Sequence, residues 1–262
     1  MTIKPESLKD LLEERVARYN RPSFIASDPI CIPHQYSTRQ DIEITAFWTA
    51  ILAWGQRTTI IAKARDLFAR MGPSPYEFIV NHRERDRRRF EDFRHRTFQP
   101  TDTLYFLAFL QDFYRRHASL ETAFTDHAGQ GPDTIFTALT NFHETFFAPD
   151  WAPRRTRKHV STPVRGASCK RLNMFLRWMV RRDNQGVDFG LWRRIDPAVL
   201  MIPLDVHVHR VALRLGLLHR TQADWKSVEL LTAVLREMDP ADPARYDFAL
   251  FGMGVLEQPP LP

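Results

Sequence analysis

The sequence predicts an all-α globular protein, and three of its features support that class. Apolar residues make up 44% of the 262 residues and recur at helical spacing in most segments. No alternation of the strand type extends beyond a few residues. The 18 prolines fall mostly between the periodic segments, whereas 10 glycines are few for a sheet with many tight turns. The length suits one large domain or two small lobes.

Apolar periodicity predicts two helical stretches near the N-terminus. The first covers about residues 6–19 and the second, a long one, covers about 41–70. The apolar stripe of the long stretch consists of Phe47, Ala50, Ile51 and Trp54. Gly55 interrupts it, so one helix and two helices joined by a short turn both remain open. Pro73 and Pro75 are predicted to end it.

Two more helices are predicted before a basic loop. The first is apolar over residues 104–114, with Thr101 or Asp102 as its cap, and the second covers about 133–147. Residues 148–168 are rich in proline and basic side chains, which predicts an irregular connection rather than another helix.

The C-terminal third shows the most regular periodicity. Its helices are predicted over about residues 170–182, 205–217, 225–238 and 244–256. In the first of these, Arg171, Arg177 and Arg181 lie elsewhere on the helix than the apolar stripe. Asp242 and Pro243 are predicted to be the N-cap and the first residue of the last helix.

Charge gives the first indication of function. Lys and Arg number 37 against 31 Asp and Glu, a net charge of +6. The basic segment, residues 82–96, contains Arg83, Arg85, Arg87, Arg88, Arg89, Arg94 and Arg96. Acidic residues intervene there, so a solvated helix face and a phosphate-binding surface both remain open. A second run, Arg154 to His159, has no acidic neighbour between Trp151 and Cys169, which favours contact with phosphates.

The composition also argues against several classes of protein. No apolar run is long enough to cross a membrane, and the first 20 residues lack the apolar core of a signal peptide, so a cytoplasmic protein is expected. Cys31 and Cys169 are too few for a four-thiolate zinc or iron–sulfur site.

The hairpin segment, Gly166-Ala167-Ser168-Cys169-Lys170, leads directly into an amphipathic helix. A glycine-bearing turn before a helix leaves backbone N–H groups free to hold a DNA phosphate. Lys170 would lie at the positive end of the helix dipole, which favours the neutral amine that a nucleophile needs. The alternative is an ordinary turn followed by a surface lysine.

Asp205 follows Pro203 and precedes a predicted helix. Its structural role there is that of an N-cap. A fixed carboxylate at this place could also stabilise a cationic sugar in a transition state. His207 and His209 raise metal binding as another hypothesis. Because their spacing puts them on different helix faces and no carboxylate ligand set accompanies them, no metal site is predicted.

Three segments, in order, resemble motifs of the helix–hairpin–helix (HhH-GPD) DNA glycosylase superfamily. The hairpin segment resembles the hairpin and catalytic lysine of that superfamily. Pro203-Leu204-Asp205-Val206-His207 is similar to its Pro-Val-Asp-Val-His motif, whose aspartate is catalytic. Residues 51–59, Ile-Leu-Ala-Trp-Gly-Gln-Arg-Thr-Thr, resemble the helix turn that faces the damaged duplex. The chain looks like a bacterial branch that resembles archaeal 8-oxoguanine DNA glycosylases, over about residues 41–254.

The resemblance implies a two-lobed helical fold with a DNA-binding cleft between the lobes. The whole chain, residues 1–262, would form one such unit. One helical lobe would cover about residues 41–147, and a hairpin and C-terminal lobe about 160–256, with the helix over 6–19 packed on it. Lys170 and Asp205 are 35 residues apart, more than in most relatives, so residues 183–202 are expected to loop out of the site.

The resemblance also implies roles for single residues. Lys170 would attack the sugar C1′, displace the base and form a Schiff base, while Asp205 would stabilise the developing charge. The DNA backbone would be contacted by His207, Arg154, Arg155, Arg165, Gly166, Ala167 and Ser168. Gln56 would lie near the space left by the flipped base.

The last predicted helix resembles the closing helix of the archaeal enzymes and supplies candidates for a base pocket. There Asp247 would accept protons from a purine edge, and Phe248 or Phe251 would stack on the base. The alternative is that both aromatic side chains belong to the core.

The leading hypothesis is therefore a DNA repair glycosylase and AP lyase that excises an oxidised purine, with 8-oxoguanine favoured. It would act as a monomer on double-stranded DNA that carries a damaged base, near the nucleoid and without a cofactor. One alternative is a non-catalytic DNA-binding protein with a glycosylase-like fold, which needs no pairing of Lys170 with Asp205. The other is a metal hydrolase that uses His207 and His209.

Overall fold

A computed structural model describes residues 5–125 and 131–257, and these residues contain eleven α-helices, several 3-10 turns and no β-strand. The predicted all-α class is confirmed. The helices are α1 (Pro5–Tyr19), α2 (Pro22–Ile25), α3 (Arg39–Leu52), α4 (Arg57–Ala69), α5 (Pro75–Asn81), α6 (Pro100–Tyr114), α7 (Ile135–Phe146), α8 (Lys170–Val180), α9 (Val206–Arg214), α10 (Trp225–Met238) and α11 (Tyr246–Val255). No helix among the described residues has the length and apolar character needed to span a bilayer.

Two details differ from the predicted elements. The long stretch forms two helices, because α3 ends before Gly55 and α4 begins after it. Pro75, which was predicted to end a helix, begins α5 instead. The Ser74 hydroxyl accepts a hydrogen bond from the Glu77 N–H (3.2 Å), and proline is tolerated at a first helical position because it lacks only an N–H that the helix does not use.

The chain divides into two compact units. Unit 1 comprises Met1–Phe24, Asp133–Phe136 and Thr162–Pro262, and unit 2 comprises Ile25–Pro132 and Thr137–Ser161. Unit 2 therefore extends beyond residues 41–147 at both ends. In unit 1, α1 packs along α11, and the Tyr246 hydroxyl donates to the Glu13 carboxylate at 2.7 Å.

Unit 2 has an aromatic core built around α3, whose side chains are buried from Asp41 to Leu52. Phe106 of α6 stacks on Phe47 at 5.6 Å and on Trp48 at 5.7 Å between ring centroids. Offset stacks and edge contacts of this kind add specific geometry to the large apolar area that each ring buries.

Asp102 is a fully buried carboxylate that anchors the basic loop within unit 2. The helix α6 begins at Pro100, so Asp102 lies in its first turn and accepts a hydrogen bond from the Gln99 N–H (2.8 Å) rather than serving as the N-cap. The Thr156 hydroxyl donates to Asp102 at 2.8 Å, and His159 Nε2 lies 3.2 Å from it. Burial opposes its charge, but these donors outweigh burial and lower the pKa of Asp102.

Residues 183–202, the connecting segment, pack into unit 1 and do not loop out, so that prediction is wrong. Trp192 is fully buried and meets Phe175 of α8 edge to face at 5.2 Å. The N–H groups of Phe189 and Trp192 donate to the carbonyls of Trp178 and Met179 (2.8 and 2.9 Å). They satisfy carbonyls that the end of a helix leaves without partners.

Candidate functional site

The hairpin segment forms a turn fixed to the start of α10 in unit 1. A single 3-10 turn, Pro163–Arg165, precedes it, and Gly166 adopts a left-handed conformation with φ of +73°. The Gly166 carbonyl accepts from the Trp225 N–H at 2.9 Å, and Ala167 forms an antiparallel bridge with Asp224. Directly before the hairpin segment there is thus a single 3-10 turn and no α-helix.

The start of α8 lacks a side-chain cap. Cys169, the residue before the helix, is itself left-handed (φ +50°), and it makes no capping hydrogen bond. Arg165 and Gly166 are exposed, and Ala167 and Ser168 are half-buried. An uncapped helix start beside an exposed turn offers its N–H groups to an anion.

Lys170 is the first residue of α8 and is half-buried. Its amine makes no hydrogen bond or ion pair within the described part of the chain. Arg177 follows seven residues later, on the same face and about 10 Å further along the helix. It is 3% exposed, so this face of α8 turns inward.

Asp205 caps α9, as its position in the sequence predicted. Its Oδ1 accepts hydrogen bonds from the N–H groups of His207 and Val208, both at 2.8 Å. Among residues 5–125 and 131–257, Oδ2 has no hydrogen-bond partner. The cap fixes the carboxylate while leaving one oxygen available.

The buried carboxyl group of Asp247 is affected by the charges of Lys170, Asp205 and Arg177. It is 5% exposed and is paired with Arg177. Burial raises its pKa to about 6; the Asp205 charge adds to this, whereas the Arg177 and Lys170 charges oppose it. The charges of Lys170 and Asp205 thus act on the same carboxyl group, in opposite directions.

Close packing of α11 on the start of α9 contributes to this proximity. A Cβ atom on Gly254 would lie 2.9 Å from Cβ of His207, closer than side chains tolerate, so glycine allows the two helices to approach. Nδ1 of His207 is buried and has no hydrogen-bond partner within the described ranges.

The two aromatic candidates of the base pocket differ in exposure. Phe248 is fully buried, with the Arg177 guanidinium 4.4 Å above its ring centroid and Phe24 at its edge (5.4 Å). The structure thus corrects its predicted stacking role and places it in the core. Phe251 is half-buried and contacts Phe24 at 6.2 Å.

Gln56, Arg154 and Arg155 belong to unit 2. Gln56 is exposed at the N-cap position of α4, where its side chain makes no capping hydrogen bond. Arg154 is exposed. Arg155 donates to the Thr97 carbonyl (3.2 Å) and lies 3.4 Å from Asp102, so its guanidinium is already engaged within the unit.

Sequence reasoning missed two buried arginines, Arg177 within α8 and Arg181 directly after it. Arg177 also pairs with Asp188 (3.2 Å), while Arg181, 2% exposed, pairs with Asp188 (3.1 Å) and Asp242 (2.9 Å). Asp242 therefore serves as a partner of Arg181 and, contrary to prediction, does not cap α11. The available signal was the regular spacing of arginines near an otherwise apolar helix face.

No metal-binding cluster of three or more His, Cys, Asp or Glu side chains occurs among the described residues. His209 Nε2 instead lies 3.0 Å from the Arg220 carbonyl oxygen. The geometry gives the metal-hydrolase alternative no support.

The chain belongs to the DUF2400 family, which is described as proteins of unknown function. The family model matches residues 28–256. No curated protein matches the chain. No solved structure matches it either.

The raised pKa of Asp247 predicts a distinct pH dependence of stability. The folded state keeps this proton up to about pH 6, whereas the unfolded chain loses it near its ordinary value of 3.8. The stabilisation is therefore complete below the lower value and is lost as pH rises through the higher one. The shift corresponds to about 3 kcal/mol.

Urea denaturation of the wild type and Asp247→Asn between pH 4 and 7 measures this effect. The free energy of unfolding of the wild type, relative to the variant, is expected to fall by about 2.4 kcal/mol over that range, because part of the effect lies below pH 4. A difference that stays constant with pH would show that Asp247 titrates as an ordinary carboxyl group.

Proposed function

We propose that this protein is a DNA glycosylase and AP lyase that excises an oxidised purine, with 8-oxoguanine favoured, from double-stranded DNA. The observations that carry the proposal are that the Lys170 amine and one Asp205 carboxylate oxygen have no partner among the described residues, and that the charges of both residues act on one buried carboxyl group. Both lie at helix starts, and both act on the buried Asp247. The proposal includes the two-lobed HhH-GPD fold, its DNA-binding cleft and a monomeric protein.

In the proposed reaction, the Lys170 amine attacks the deoxyribose C1′. The bond from C1′ to the base breaks, and the base leaves with the bonding electrons and takes up a proton. Opening of the sugar ring then gives a Schiff base between Lys170 and C1′. Loss of a C2′ proton eliminates the 3′ phosphate and cuts the strand.

Asp205 suits the cationic stage of this reaction. Two N–H donors hold its carboxylate in place, and the unpaired Oδ2 can face the positive charge that develops on the sugar. It can also accept the proton that the Lys170 nitrogen loses once it has bonded to C1′. Asp247 keeps one carboxylate oxygen without a partner in the described part of the chain, which can accept a proton from the edge of a purine.

The hairpin segment and its neighbours suit the DNA backbone. The uncapped start of α8 presents N–H groups beside the exposed Arg165, and Arg154 is exposed in unit 2. A backbone phosphate is the anion that such a combination recognises in a nucleic acid.

Borohydride trapping tests the proposed function directly. The protein is incubated with a duplex that carries one 8-oxoguanine, or with the undamaged duplex, and sodium borohydride reduces any Schiff base to a stable adduct. We expect an adduct and free base with the damaged duplex alone. Retained DNA binding without adduct or base release, across a panel of oxidised purines, would favour the non-catalytic DNA-binding protein.

Asp205→Asn separates catalysis from helix capping. Asparagine caps a helix about as well as aspartate but carries no charge. We expect excision to slow by about 10²–10⁴-fold and the free energy of unfolding to change by less than about 0.5 kcal/mol. Single-turnover excision and urea denaturation measure the two effects. The matched control is Asp196→Asn, which changes the cap of the 3-10 turn Pro197–Val199 and should leave excision intact. Equal rates for wild type and Asp205→Asn would leave Asp205 a capping residue alone.

A further inference from the structure

The loop between α3 and α4 in unit 2 presents an exposed tryptophan. Trp54 is 44% exposed, whereas Trp48, only six residues earlier, is fully buried. The loop is not loose: Nε2 of the buried His95 lies 3.2 Å from the Trp54 carbonyl oxygen, and the Trp54 N–H donates to the Leu52 carbonyl at 2.6 Å. A large apolar ring is thus held in solvent by its own backbone contacts.

Arg96 covers one part of this ring. The centre of its guanidinium lies 4.6 Å from the Trp54 ring centroid, in the geometry of a cation–π contact. Arg96 has a φ of +54°, a left-handed backbone conformation that residues other than glycine rarely adopt. His95, the preceding residue, pairs with Phe98 through backbone hydrogen bonds at 3.0 and 2.9 Å and so holds the turn.

Gly55 provides the space for this contact. Its φ of +107° is open to glycine, and a Cβ atom there would lie 2.6 Å from Nη1 of Arg96. The arginine–tryptophan stack therefore depends on the glycine and on the left-handed arginine, although the two are 41 residues apart. Strained conformations of this kind persist where the surrounding structure holds them in place, and they are concentrated at functional positions.

The charge of unit 2 favours an anionic, aromatic ligand. Unit 2 also carries the basic segment, in which Arg85, Arg88 and Arg94 are exposed and form no salt bridge within the described ranges. Nucleic acids combine phosphates with flat bases, and a tryptophan face beside a guanidinium stacks an unpaired base while nearby arginines neutralise the backbone.

We propose that the Trp54–Arg96 stack is a platform for a nucleobase that has lost its pairing partner in duplex DNA. The inference rests on the proposed function, because removal of a base from the duplex is what leaves such a base behind. It adds a contact to the strand opposite the lesion, carried by unit 2. Trp54 would stack on the base and Arg96 would hold the indole in position.

Binding to two duplexes tests the platform. One carries 2-aminopurine opposite a tetrahydrofuran abasic analogue, on which no Schiff base forms, and the other carries 2-aminopurine paired with thymine. The wild type is expected to prefer the abasic duplex and to quench 2-aminopurine fluorescence by stacking. Trp54→Ala should lose about 10- to 100-fold in affinity for the abasic duplex alone, together with the quenching.

Two variants complete the experiment. Trp54→Phe keeps an aromatic face and should retain most of the preference. Trp151→Ala removes a tryptophan of unit 2 that is 51% exposed and should change nothing. Unchanged discrimination in Trp54→Ala, or an equal loss on both duplexes, overturns the platform while Schiff-base trapping stays positive. A wild type that binds neither duplex and forms no adduct overturns the proposed function as well.

Discussion

Replacing Lys170 with glutamine is expected to abolish the borohydride-trapped adduct and to slow base excision by roughly 10³-fold or more, as removal of an active-site nucleophile commonly does. Glutamine keeps the length and polarity of the side chain but has no amine to attack C1′. Because the Lys170 amine makes no hydrogen bond or ion pair among the described residues, its removal should change the free energy of unfolding by less than about 0.5 kcal/mol. Trapping, single-turnover excision and thermal unfolding measure these three quantities.

The matched control is Lys226→Gln. Lys226 also lies in the first turn of a helix, α10, but on the surface, where it pairs with Glu229 at 3.3 Å. Adduct formation and excision should be unaffected. If Lys170→Gln forms the adduct as the wild type does, another amine is the nucleophile, and the assignment of Lys170 fails.

Replacing Arg177 with methionine is expected to destabilise the protein by about 3–5 kcal/mol, the cost of breaking a buried ion pair on one side only. Methionine fills a similar volume, so the effect measures the charge rather than a cavity. Two buried carboxylates, Asp188 and Asp247, would lose a partner, although Arg181 still pairs with Asp188. Urea denaturation at pH 7 gives the free energy of unfolding.

Two comparisons sharpen this prediction. Arg214→Met, on the exposed surface of α9, should change the free energy of unfolding by no more than about 0.5 kcal/mol. The cost of Arg177→Met should also shrink below pH 6, where Asp247 takes up a proton and no longer needs a cation. A cost under about 1 kcal/mol at pH 7 would mean that Arg177 contributes to the core through its stem rather than its charge.

Local signals predicted most of the helices and the positions of Lys170 and Asp205 at helix starts. The periodicity of α1, α8 and α10 is set by side chains three and four positions apart, so a short window of sequence suffices. The turn before Lys170 and the cap at Asp205 are also local features, whereas the proposed roles of the two residues follow from the resemblance to HhH-GPD glycosylases. Ser74 and Pro75 form the same kind of local signal, a cap followed by a proline, for the start of α5.

Long-range pairing could not be predicted from the sequence. Arg177 meets a carboxylate 11 residues away and another 70 residues away, and no spacing rule joins them. The same pairing decides which carboxylates are buried and therefore which of them changes its pKa. Phe248 is a second example. Its place in the last helix was predicted, but its burial under Arg177 depends on packing against a second helix.

The connecting segment between α8 and α9 has a consequence for how the chain tolerates changes in length. Its Asp188 serves two buried arginines, and its Trp192 fills the core, so a deletion that reaches either one removes a part of the interior. Residues 184–186, by contrast, are exposed, and Gly186 has open space around it. Insertions and circular permutations survive at exposed turns of this kind. In evolution or in engineering, this short turn is where the path from Lys170 to Asp205 can lengthen while both residues keep their places.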